Sequence, residues 1–213
     1  AGGEPTSYRC AVRRCYGAAS VLILPWGGWD DVVDEDVVSR RAAELRGKYS
    51  MTPDTRVVMT LSRISPEKGL HYVLDALAEL ERAASAEGLD IVAMICGEPA
   101  FMRGQAALDR LKKSARALRR PRVVFPGYLG PEEKAAHFRL ADVFVSASLH
   151  ESYGLTIVEA LRAGLPVVAA DHYGSEEVLG PEYARTVPFA AARARARNLS
   201  EALAGLLPDR ARL

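Results

Sequence analysis

The 213-residue chain predicts an α/β fold built on a doubly wound parallel sheet. Three observations predict it. Short β-branched apolar runs recur along the chain, and most are continuously apolar, as in strands buried on both faces. The gaps between them carry apolar residues at three- and four-residue spacing, the mark of helices with one buried stripe. Strand and helix alternate throughout, which calls for parallel pairing with right-handed crossovers.

The elements follow in order. Val21–Leu24, Val57–Leu61, Ile91–Cys96, Val123–Phe125, Val143–Ser146 and Val167–Ala170 read as strands, and Ala184–Val187 as a weaker one. Leu70–Glu87 reads as a helix because Leu70, Val73, Leu74, Leu77 and Leu80 share a face. Ala106–Leu118 has a weaker stripe and a very basic outer face. Pro131–Leu140 opens on Pro131-Glu132-Glu133, a favourable first turn. Thr156–Ala163, Ser175–Leu179 and Leu199–Leu207 complete the helices. Residues 1–20 show no clear strand and read as a connecting segment, with one domain over 21–213. The alternation "AARARARN" (Ala191–Asn198) reads as a solvated helix or loop face rather than an anion site.

Composition excludes several function classes. Apolar residues make up 49% and charged residues 26%, which fits a globular protein. A net charge of +1 gives no global field toward nucleic acid or membranes. No apolar stretch reaches about 18 residues, so no membrane-spanning helix is expected. Three cysteines (Cys10, Cys15 and Cys96) form no disulfide framework and point to a reducing compartment, the cytoplasm. Cys10 and Cys15 lack the two further ligands of a zinc site, and no metal is expected.

Ligands of such sheets bind at the carboxyl ends of the strands. In "LSRISPEKGL", Ser65 and Pro66 read as an N-cap with proline at the first helical position. Lys68 then stands in the first turn, where a cation opposes the helix dipole by about 0.3–1 kcal/mol. An anion between Arg63 and Lys68 accounts for that placement, and two surface cations with carboxylate partners account for it equally. After Val143–Ser146, Glu151 and Glu159 bracket a turn that feeds a helix near Thr156. Such a helix start offers N–H groups to an anion, and Gly154 lets backbone approach closely. A carboxylate suits a sugar because it accepts from two neighbouring hydroxyls. Thr156-Ile157-Val158-Glu159 also matches a capping box, which explains Glu159 alone without a ligand but leaves Glu151 unexplained. Gly97, Gly127 and Gly174 each follow a strand, ordinary turn chemistry whose recurrence on one side of the sheet adds weight.

"SRISPEKGL", "FPGYLGPEEKAAHFRLADVFVSAS", "ESYGLTIVEALRAGLPVVAA" and "GSEEV" stand in the order seen in retaining glycosyltransferases of the GT-B fold, family 4. The chain resembles their C-terminal, donor-binding half over about residues 20–190, which implies one Rossmann-like half of a GT-B fold. The resemblance implies a nucleotide diphosphate sugar as substrate, a hexose transferred with retention, and no cofactor or metal. It assigns Arg63 and Lys68 to the diphosphate and Glu151 to the transferred sugar, the three catalytic candidates. Tyr153, Gly154, Leu155 and Thr156 would offer backbone groups, Glu159 would hold the ribose, and Gly127, Tyr128 and Leu129 would lie near the base. Ser62 and Gly97 complete the donor set. Tyr153 stands where phenylalanine is usual, Ser62 where glycine is common, and "GEPAF" lacks a second glycine. "PWGGWDDV" replaces the segment usual after the first strand. The family's N-terminal acceptor domain has no counterpart here, so the expectation is a donor half that needs such a domain as partner and turns over poorly alone. A non-catalytic nucleotide-sugar module, or a donor subunit with a separate acceptor subunit, is the competing reading. Membrane association of the full-length protein stays open.

Overall fold

The computed structural model describes residues 32–83, 88–151, 153–170, 185–187 and 192–208. The chain divides into two compact units, Ala1–Asp30 and Asp31–Leu213, and every described residue belongs to the second. The expected strand Val21–Leu24, the helix Ser175–Leu179 and the 1–20 segment lie outside the described residues.

The described elements run α1 (Glu35–Lys48), β1 (Arg56–Leu61), a 3-10 turn (Pro66–Lys68), α2 (Leu70–Arg82), β2 (Ile91–Cys96), α3 (Phe101–Ala115), β3 (Arg122–Gly127), α4 (Pro131–Leu140), β4 (Val143–Ser146), α5 (Leu155–Arg162), β5 (Val167–Ala170), β6 (Arg185–Val187) and α6 (Ala192–Leu206). The six strands form one parallel sheet in the order β3-β2-β1-β4-β5-β6. This is the Rossmann order, in which the chain reverses its direction of travel between β1 and β4. Asp142 locks that junction: its Oδ2 accepts from the Val57 N–H at 2.7 Å, and its own N–H donates to the Val57 carbonyl at 2.9 Å.

Both sheet faces are buried. Val58, Ala93, Ile95, Val143 and Val145 pack under α2, α3 and α6. Val57, Met59, Val92, Met94 and Phe144 pack under α1, α4 and α5. Neighbouring residues of one strand thus serve opposite layers, as the two-residue period of a strand requires. Burying residues of this kind contributes roughly 1.5–3 kcal/mol each. In α4, His137 is 1% exposed. Its Nδ1 donates to the Glu133 carbonyl at 2.7 Å and its Nε2 faces the Tyr49 hydroxyl at 3.3 Å. Burial pushes its pKa below the ordinary value.

Several expected bounds shift. The helix from Leu70 ends at Arg82, short of Glu87. The basic helix starts at Phe101, not Ala106, and ends at Ala115. The final helix starts at Ala192, well before Leu199. The Ala/Arg alternation is therefore helical rather than uniformly solvated: Ala196 is buried, and Arg195 donates to the Tyr72 hydroxyl at 3.0 Å and lies over its ring. The expected helix start at Pro66 is a separate single 3-10 turn, closed by Gly69 in the left-handed region. Ser65 is extended, as a cap should be, but makes no side-chain cap bond. Strand β3 runs on through Pro126 to Gly127, with a register shift against β2 between Met94 and Cys96. Proline is tolerated there because β3 is an edge strand of the described sheet.

Candidate functional site

The loops after β1, β2, β3 and β4 meet at the carboxyl end of the sheet. Backbone bonds join them: Ser62 N–H to the Cys96 carbonyl at 3.1 Å, Ile64 N–H to Glu98 at 2.8 Å, Gly97 N–H to Gly127 at 2.8 Å, and Leu149 N–H to Glu67 at 2.8 Å. Two glycines make this approach possible. A Cβ at Gly97 (φ +125°) would stand 1.8 Å from the Ser62 carbonyl oxygen, and one at Gly69 (φ +62°) 2.0 Å from that of Ala147. Gly69 therefore holds the end of the 3-10 turn against the β4 loop, and the turn carries Lys68.

Lys68 is 9% exposed. Its Nζ contacts Glu151 Oε1 at 2.5 Å, and the Ser148 hydroxyl donates to the same oxygen at 2.7 Å. This ion pair joins two of the three catalytic candidates directly. With Ser62, Thr60, Ser148 and Thr156 it lines a recess of only about 10 Å3, room for at most one water. The Thr60 hydroxyl in that recess is buried with no hydrogen-bond partner among the described residues. An open cleft of about 480 Å3 adjoins the turn, lined by Ser65, Pro66, Glu67, Phe101, Met102 and Leu149. That volume lies in the range of small-ligand sites.

Arg63 is exposed and does not join the pair; its guanidinium lies over the Phe101 ring, 4.7 Å from the centroid. Gly154 is left-handed (φ 78°) and forms the N-cap of α5 without a side-chain cap bond. Ile157 and Val158 donate to its carbonyl, which leaves the Leu155 and Thr156 N–H groups without intrahelical acceptors. The capping box read from Thr156 and Glu159 does not form. Because the helix starts at Leu155, Thr156 lies inside it and Glu159 lies past the capping position. Glu159 instead pairs with Lys134 of α4 at 2.8 Å. Tyr128 is 74% exposed, whereas the Leu129 side chain is buried in the core, so Leu129 offers only backbone. Tyr153 is half-buried. Gly127 is left-handed (φ 84°) at the end of β3.

Sequence reasoning missed Thr60, Ser148 and Lys134. Lys134 carried a readable signal: it is a cation near the start of a helix, and like Lys68 it holds one of the two glutamates that bracket the turn. Among the described residues no cluster of three or more His, Cys, Asp or Glu could hold a metal, and no helix is long and apolar enough to cross a membrane.

A crevice at the switch between β1 and β4, with cations and a helix start around it, is where such sheets bind phosphorylated ligands. The family model for glycosyl transferases group 1 matches residues 42–212. The chain belongs to the glycosyl transferases group 1 family. It is 32% identical over 203 residues to the GDP-mannose-dependent alpha-(1-6)-phosphatidylinositol monomannoside mannosyltransferase of Mycobacterium tuberculosis, covering 92% of this chain and 49% of that protein. It is 33% identical over 135 residues to the alpha-monoglucosyldiacylglycerol synthase of Streptococcus pneumoniae, covering 63% and 28% respectively. The chain spans half or less of the length of these relatives. Among solved structures, HepE from Anabaena in complex with UDP and glucose superposes with a TM-score of 0.72 at 23% identity, over 96% of this chain and 52% of that one. As a group 1 member with this sheet order, the described domain is a Rossmann-like half of the GT-B architecture.

Proposed function

We propose that this chain is the donor-binding half of a retaining glycosyltransferase that moves a hexose from a nucleoside diphosphate sugar. The observation that carries the reading is the Lys68–Glu151 pair at the β1/β4 switch, near the N–H groups of Leu155 and Thr156, which have no acceptor among the described residues. Relatives described as GDP-mannose-dependent, and a neighbour solved with UDP and glucose, support a nucleotide-sugar substrate.

In this reading Lys68 and Arg63 meet the diphosphate as the bond from the anomeric carbon to the phosphate oxygen breaks. The N–H groups at the start of α5 share that charge, and the acceptor oxygen bonds the same carbon while its proton passes to the departing phosphate oxygen. Fixed positive groups aimed at developing negative charge are the main rate term in such reactions. Glu151 accepts from hydroxyls of the sugar and Glu159 from the ribose, each leaving the lysine it holds when the site is empty. The reading includes no metal. The acceptor site lies on a second domain or subunit.

Calorimetric titration with UDP, GDP and ADP tests this. At least one should bind. Arg63→Ala should weaken it tenfold or more, since charge-assisted bonds to phosphate are strong. The same change should cost the fold less than about 1 kcal/mol, because Arg63 is exposed and gives up only a ring contact. A folded chain that binds none of the three would sink the proposal.

A further inference from the structure

The basic face of α3 from Arg110 onward does not line the cleft beside the candidate donor site. The segment from Phe101 to Arg120 holds seven cations and one acid, in a chain whose total charge is +1. Arg103, Arg110, Lys112, Lys113 and Arg116 are exposed along and just beyond the helix, and Arg119 and Arg120 continue the patch. Gly104, Ala107 and Leu111 face the sheet. Met102, Lys113 and Arg116 therefore lie on the opposite side, by the helical period.

Several other surface cations of this molecule have acidic partners. Arg41 pairs with Glu44 and Glu133, Arg139 with Glu35, and Arg197 with Glu201. Among the described residues none of the α3 cations has an acidic side-chain partner, and Asp109 is instead taken by Gln105 at 3.0 Å. Asp109 is the one acid within the segment, and Glu81 meets only its far end, accepting from the Arg119 and Arg120 N–H groups.

The head of the same helix is apolar and exposed: Met102 is 100% and Phe101 71% exposed. Phe101 touches Arg63, so this head borders the donor site. Unpaired cations beside exposed apolar side chains fit one surface chemistry, anionic headgroups over a hydrocarbon layer. Nucleic acid fits less well, because no aromatic side chain is interleaved with the cations for bases to stack on.

We infer that α3 docks on an anionic bilayer surface, with Met102 reaching into the interface and the basic face lying along the headgroups. The helix presents about 22 Å of cationic face, and the docking brings the mouth of the donor site to the membrane.

Flotation with phosphatidylcholine vesicles, with and without about 30% phosphatidylglycerol, tests the inference. The full 213-residue chain should float with the anionic vesicles at low salt and be released at about 0.5 M NaCl, where exposed charges are screened. Each neutralised cation should weaken binding about fivefold. Arg110→Gln, Lys113→Gln and Arg116→Gln together should therefore cost on the order of a hundredfold. Met102→Ser should weaken binding severalfold without changing the salt dependence. If the triple variant lost its far-UV spectrum, Met102→Ser alone would decide. Nucleotide affinity should be unchanged in the triple variant, whose three residues do not line the cleft beside the donor site, which keeps this test separate from the donor-site proposal. Equal flotation with neutral vesicles, binding unchanged in the triple variant, or tighter binding to duplex DNA than to vesicles at the same salt would overturn it.

Discussion

Lys68 shows at the scale of one residue how a misplaced charge reports a partner. The sequence puts this cation in a helix first turn, but it closes a single 3-10 turn instead. Burial to 9% exposure is what costs an ammonium here. Glu151 offsets that cost, and Ser148 fixes the carboxylate by a second bond to the same oxygen. Lys68→Met should thus destabilise the fold by about 1–3 kcal/mol, less than for a fully buried pair because Glu151 keeps some solvent contact. Adding Glu151→Gln should recover part of that loss. Urea unfolding of both single variants and the double one measures the coupling, and additivity within about 0.5 kcal/mol would show that the pair contributes nothing. The sequence reading identified Lys68 and Glu151 separately but could not pair them, because 83 residues separate them and only the β1/β4 junction brings them together. It gave Glu159 a capping alternative from local spacing. Gly154, free to adopt φ 78°, moved the cap upstream and released Glu159 to Lys134.

At the scale of elements, the interior strands were the most legible parts. Ile91–Cys96, Val143–Ser146 and Val167–Ala170 match the expected bounds because strands buried on both faces are apolar end to end. Helix ends were less legible, since exposed last turns carry no apolar signal. α1 went unread altogether. Only Val38, Ala42 and Leu45 of its fourteen residues are buried, yet its signals were present: Asp34 caps the N–H groups of Asp36 and Val37, acids fill the first turn and basic residues the last. Loop geometry was legible only as glycine after strands, not as which carbonyl each glycine meets. Gly97→Ala tests that geometry. The residue is held at φ +125° with a carbonyl oxygen 1.8 Å from the added carbon, so the β1 and β2 loops must separate. A loss above about 2 kcal/mol in urea unfolding is expected, more than the strain of a positive φ alone. Gly47→Ala, with nothing within 4 Å of the added carbon and a helical backbone, should instead be neutral or slightly stabilising. Equal effects at the two glycines would refute the close-approach argument.

The whole molecule sets a pH window that no single layer sets alone. Strand order was not readable from the sequence, because pairing is non-local, and it decides which helices form each layer. His137 lies in the layer with α1 and α4, and His71 at the start of α2 on the other face. Burial lowers both pKa values from 6.5, for His71 against a partial counter-effect of Asp75. Each native imidazole therefore binds a proton less readily than the unfolded chain does. Stability from both histidines is complete above about pH 6.5 and falls as pH drops toward their native values. At the alkaline end, burial raises the Cys96 thiol from 9.0 and the Tyr49 phenol from 10.0. Their contribution is complete below those values and is lost as the unfolded chain ionises above them. The urea midpoint should thus be flat between about pH 7 and 8.5 and decline on both sides. His137→Gln should flatten part of the acid limb, since an amide can keep the bond to the Glu133 carbonyl without taking up a proton. An acid limb unchanged in that variant would mean that His137 does not charge on unfolding, and that the layer around α4 is not what sets the acid edge.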